Sequence, residues 1–76
     1  MESSEVLLKV IRRAYSNGDD QYDVELAGSR TRQCVSHSEA IVHKISLGNS
    51  LRNMGYKKTH EVEAPLGGLL ELWERL

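Results

Sequence analysis

The chain has 76 residues, a net charge of −1 and an apolar content of 39%, which describes one small domain with a limited core. Its single cysteine excludes an internal disulfide and a Cys-X-X-Cys zinc pattern, and no stretch reaches the ~20 apolar residues of a membrane-spanning helix. A pI near 6.3 sits below the strongly basic range of dedicated nucleic-acid domains.

A lone thiol and the lack of an apolar run of signal-peptide length lead us to expect a reducing, cytoplasmic setting. With no Phe, one Trp and three Tyr, the core has to come mainly from Leu, Val and Ile. Charge is unevenly spread. Residues 36–58 set Lys44, Arg52, Lys57 and Lys58 against Glu39, whereas residues 59–76 set Glu61, Glu63, Glu71 and Glu74 against Arg75. Blocks of this kind are commonly solvated faces, and a dipolar surface that orients a partner is the sharper reading.

Residues 5–15, EVLLKVIRRAY, fit two periods. Leu7, Ile11 and Ala14 with Leu8 and Tyr15 make a helical stripe, while Val6, Leu8 and Val10 make one face of a strand. The Val and Ile content favours the strand, as does Asn17-Gly18 within the turn cluster Ser16–Asp20. Tyr22, Val24 and Leu26 then alternate with Asp23 and Glu25, the second arm of a hairpin. Gly28-Ser29 reads as another tight turn and Arg30–Val35 as a third strand with a wet face.

Ser36–Gly55 is the central helix. Ser36 with Glu39 forms a capping box, and Gly55 suits the left-handed residue that ends a helix. Met54, Leu51, Gly48 and Ile45 are the expected packing face; Ala40, Ile41 and Leu47 widen it, and Ser46, Asn49, Ser50 and Asn53 lie opposite. Gly48 costs about 1 kcal/mol of helix propensity relative to Ala, so it marks close approach of another backbone. Tyr56–Ala64 reads as a strand with Tyr56, His60, Val62 and Ala64 on one face and Thr59, Glu61 and Glu63 on the other. After a turn at Pro65–Gly68, the spacing of Leu66, Leu69, Leu70, Trp73 and Leu76 predicts a short C-terminal helix. The expected fold is α+β over residues 1–76: a small antiparallel sheet, β-β-β-α-β-α, of three or four strands, with both helices packed on one face.

Each chemical possibility competes with a plain structural one. Cys34, His37, His43 and His60 have no spacing that gathers three or four zinc ligands, and no metal or cofactor is expected. Cys34 before a helix start, with His37 nearby, is the arrangement that would suit a cysteine-dependent enzyme; a packed small hydrophobe is the simpler account. Lys44 interrupts the apolar stripe, either snorkelling to water or aimed at an anion. Arg12, Arg13, Arg30 and Arg32 would share an outer sheet face under the hairpin reading, with Lys57 and Lys58 adding phosphate contacts; four acids on the same meander oppose that. Leu72 falls off the stripe of Leu69, Leu70, Trp73 and Leu76, so the C-terminal helix is apolar on more than one side, and Trp73 is a natural interface anchor. The expectation is a small non-enzymatic protein-binding or regulatory module, acting through Leu69, Leu72, Trp73 and Leu76 or by strand addition at a sheet edge. A homodimer, or an inhibitor or adaptor of the size used in phage–host conflict, fits that reading. A nucleic-acid-binding domain built on the arginines is the alternative. No membrane partner is expected.

Overall fold

The computed structural model describes residues 4–14 and 20–75. Glu5–Ala14 forms β1, Asp20–Leu26 β2, Ser29–Cys34 β3, His37–Asn53 the helix α1, Tyr56–Glu63 β4 and Leu69–Arg75 β5, with a short 3-10 turn at Pro65–Gly67. All pairings are antiparallel and the strand order is β3-β2-β1-β5-β4. The chain thus builds a three-stranded meander, crosses the sheet with α1, and returns to add β4 and β5 on the other side of β1. The turn expected around Asn17-Gly18 lies outside the described residues.

The largest correction to the sequence reading is at the C-terminus. Leu69–Arg75 is a strand inserted between β1 and β4, and α1 is the sole α-helix among the described residues. The sheet therefore has five strands rather than three or four, and the order β-β-β-α-β-α ends in a strand. Here pairing outweighs local spacing. Without β5, β1 would present an edge of unpaired backbone N–H and C=O groups, and β5 pairs with it along six consecutive positions from Glu5–Glu74 to Val10–Leu69.

Residues 5–14 form the strand that their Val and Ile content favours, with Leu8 and Val10 fully buried. The β2–β3 hairpin turns at Ala27 and Gly28, both with positive φ, which matches the twist of paired strands. Ser36 caps α1 by accepting from the Glu39 backbone N–H at 3.1 Å. The return half of the capping box is displaced by one residue: Glu39 Oε2 accepts from the Val35 N–H at 3.3 Å, and Oε1 takes Arg32 at 3.0 Å.

The core lies between α1 and one face of the sheet. It consists of Leu8, Val10, Val24, Cys34, Ala40, Leu51 and Trp73, with Val6, Tyr22, Leu26, Leu47, Tyr56 and Leu69 packed around them. The packing face of α1 is accordingly rotated from the expected one. Ala40, Gly48 and Leu51 are buried, whereas Ile45 and Met54 are half exposed. Gly48 does mark a close approach, but to a side chain and not a backbone. A Cβ at residue 48 would stand 3.1 Å from Cζ2 of the Trp73 indole. Because that ring is buried, Gly48→Val should lower stability by about 1–3 kcal/mol despite removing a helix glycine. Chemical denaturation would measure it, and an unchanged midpoint would show that the ring can move aside.

β4 carries the other departure. A bulge between Lys58 and His60 shifts the register, so Tyr56 and Lys58 face the helix beside Arg75 and Trp73, whereas His60 and Val62 pair with Leu72 and Leu70 on the opposite side. Tyr56 and Val62 consequently do not share a face.

Candidate functional site

Two surfaces with different chemistry result from this layout. On the helix side, α1 and β4 border a pocket of about 100 Å³ lined by Lys44, Ile45, Gly48, Arg52, Lys58, Glu71 and Trp73. Its geometry follows from spacing. Lys44, Gly48 and Arg52 recur every four residues and so rise along one side of the helix, while Glu71 and Trp73, two apart in β5, point to the same side of the sheet.

At the base of the pocket is a buried ionic cluster. Lys44 Nζ donates to Glu71 Oε2 at 2.7 Å, and the Trp73 indole N–H donates to Glu71 Oε1 at 3.0 Å. Lys58 Nζ stands 3.7 Å from the same carboxylate and donates to Glu61 at 3.1 Å. The Arg52 guanidinium lies over the indole, 5.2 Å from its centroid. Burial pushes the Glu71 carboxyl up, but the hydrogen bonds from Lys44 and Trp73 and the charges of Lys44 and Lys58 outweigh it and hold the group below the usual glutamate value. Glu71 is therefore an anion whose two oxygens are both engaged. Lys44 neither simply snorkels nor stands free, since its amine ends on a buried partner.

The second surface is the face of the sheet that carries no helix. The register places Leu7 opposite Leu72, Lys9 opposite Leu70 and Ile11 opposite Asp23, with Val62 across from Leu70. Leu7 is 38% exposed and Val62 55%; Ile11, Leu70 and Leu72 are half-buried among their neighbours. Charged residues surround this apolar centre. Arg13 donates to Asp23 and lies 3.7 Å from Glu25, and Arg30 lies 3.8 Å from Asp23.

The residues singled out from sequence are dispersed. Trp73 is 1% exposed beneath α1, so it anchors the core and is not available as an interface residue. Leu69 also packs on the core. Leu72 alone of that group is on the helix-free face, and Leu76 lies outside the described residues. The arginines do not form one basic surface. Arg13 and Arg30 are on the helix-free face beside Asp23, Arg32 pairs with Glu39 of α1, and Arg12 has the parity of the helix side, opposite Tyr22. Lys57 pairs across from Glu74 while Lys58 faces the pocket.

Cys34 is buried, and that burial, with the nearby Glu39 and Asp23 charges, pushes its thiol up against the opposing pull of Arg32. This is the opposite of an activated nucleophile. His37 is directed elsewhere, donating from Nε2 to the Gly67 carbonyl at 3.1 Å and meeting the Tyr22 ring edge-on. Among the described residues no group of three metal-ligating side chains is found, and no helix is long and apolar enough to cross a membrane.

Sequence reasoning missed Leu7, Leu70 and Val62 as a surface and Glu71 as the partner of Lys44. The available signal was the alternation Leu69-Glu71-Trp73 against Leu70-Leu72, masked by a charge on the side that became the core. The geometry defines a class of protein: an α+β domain that, among the described residues, has one α-helix on one face of a five-stranded antiparallel sheet. No family model, curated protein or solved structure matches the chain.

Proposed function

We propose that this chain is a non-enzymatic protein-binding module that works by laying the helix-free face of its sheet on another protein surface, the same face of a second copy. The observation that carries this is the apolar centre formed by Leu7, Leu70, Leu72 and Val62 on a face that no element among the described residues covers. A small domain with a one-sided core gains stability by association, and two sheets stacked face to face bury such a stripe at a spacing of about 10 Å.

Charge supports a second copy as the occupant. The face carries Lys9, Arg13, Arg30 and Lys57 against Glu5, Asp23, Glu25 and Glu74, so it is neutral and much of its charge is already paired across strands. Such a surface offers little attraction to a strongly acidic or basic partner, and a two-fold contact with itself meets no net repulsion. Strand addition at the edges is less well supported, because Arg30 and Arg32 on β3 and Lys57 and Lys58 on β4 place charges there, a common device against edge pairing. The raised Cys34 thiol and the redirected His37 support the non-enzymatic part of the reading.

Sedimentation velocity over a range of concentrations tests it. The wild-type chain should show a concentration-dependent dimer, and Leu7→Glu or Leu72→Glu should weaken it by at least about tenfold. Val42→Glu, on the outer side of α1 where Val42 is 68% exposed, should leave association unchanged. A wild-type chain that stays monomeric at the highest soluble concentration would overturn the proposal.

A further inference from the structure

The pocket between α1 and β4 has a charge imbalance that the fold itself does not require. Lys44, Arg52 and Lys58 reach it from two elements, and Glu71 is the one carboxylate in its lining. Glu71 already accepts from Lys44 and Trp73, so it is neutralised without Arg52. Lys58 is paired at the rim with Glu61, so one surplus positive charge, that of Arg52, remains over the partly enclosed space. A low-dielectric wall formed by Ile45, Gly48 and the Trp73 ring strengthens its field.

The geometry points to a binding site for a phosphate ion, held by Lys58 and Arg52 against the fixed ammonium of Lys44. The donor set selects that class. The pocket is open to solvent and about 100 Å³ in volume, enough to admit one tetrahedral oxyanion. A tetrahedral oxyanion offers an acceptor oxygen to each of the three cationic groups, whereas a carboxylate has only two oxygens. The Lys44–Glu71 pair has a positioning role here: at 2.7 Å it holds the Lys44 ammonium at the pocket base while leaving other N–H groups to donate. The Arg52 guanidinium rests over the indole and exchanges little for a charge-assisted bond to the anion. This site lies on the side of the sheet away from the proposed dimer face and stands independently of it.

Trp73 is the only tryptophan and forms a wall of the pocket, so the experiment has a built-in reporter. Inorganic phosphate, O-phosphoserine, acetate and chloride would be titrated at matched ionic strength. The readouts would be indole fluorescence and the NMR resonances of the Trp73 indole N–H and the Gly48 amide. Phosphate should give a saturable shift, with acetate and chloride at least about tenfold weaker. Equal affinity for O-phosphoserine would mean that the pocket takes an esterified phosphate, and binding of the free ion alone would assign inorganic phosphate as the ligand. Lys58→Ala and Arg52→Ala, each checked for a native amide spectrum, should raise the apparent Kd by about tenfold or more. A linear response that chloride reproduces, or variants that titrate like the wild type, would overturn the site.

Discussion

Trp73→Ala should unfold this protein or bring it close to unfolding. The indole is 1% exposed, contacts the Gly48 position of α1 and is bracketed by Arg52 above and the Glu71 carboxylate at its N–H. Large-to-small replacement of a buried aromatic costs about 3–5 kcal/mol, and a domain of this length has roughly 4–11 kcal/mol in total. The melting temperature should fall by roughly 15–30 °C. Trp73→Phe keeps part of the apolar contact but loses the donor to Glu71 and the ring atoms that meet Gly48, for a smaller loss of about 1–3 kcal/mol. A surface anchor would behave differently: Trp73→Ala would then leave the melting temperature within a few degrees and show its effect on association. Thermal unfolding of the two variants decides between the burial described here and an exposed C-terminal tryptophan.

The part of the fold legible in the sequence is the part where side-chain period and turn chemistry agree. Leu8 and Val10 alternate against Lys9, Tyr22 and Val24 bracket Asp23, and Ser36 with Glu39 marks the helix start; strand, strand and helix follow. β5 was obscure because two periods fit it. Leu66, Leu69, Leu70, Trp73 and Leu76 satisfy helical spacing, whereas the strand pattern requires a glutamate on the buried side. A charge at an apolar position ordinarily counts against an element. Lys44 in the apolar stripe of α1 presents the same anomaly from the other side. Each residue appears misplaced alone, and together they are a single ion pair across the helix–sheet interface. The pocket and the helix-free face were equally hidden, because both depend on β5 entering the middle of the sheet. Two bulges, at Val24/Glu25 and Lys58/His60, then changed which residues share a face, a shift that alternation alone does not register.

The ionic cluster leads to the second large effect. Glu71→Ala should destabilise the fold by about 3–5 kcal/mol, because it leaves the Lys44 ammonium and the Trp73 N–H in a site with no acceptor of equal quality. The side chains of Lys44 and Glu71 are 11% and 2% exposed, so water compensates poorly. Replacing both partners should be milder, because no buried charge is then left unpaired. Lys44→Met with Glu71→Leu exchanges a desolvated pair for apolar contact, commonly neutral or stabilising by about 1–4 kcal/mol, offset by about 1–3 kcal/mol for the Trp73 N–H that loses its acceptor. The double-mutant cycle therefore should show strong coupling, with the double variant more stable than either single one. The pH dependence carries the same signature. The folded Glu71 carboxyl is held below its ordinary value near 4.5, so the unfolded chain takes up a proton first as acid is added. The contribution of Glu71 is complete above that ordinary value and is lost as pH falls through it toward the lower folded value. The wild-type chain should lose stability across this acidic window, and the double variant should lose less across the same interval. Additive single effects with identical acid profiles would mean that Lys44 and Glu71 are adjacent without being coupled.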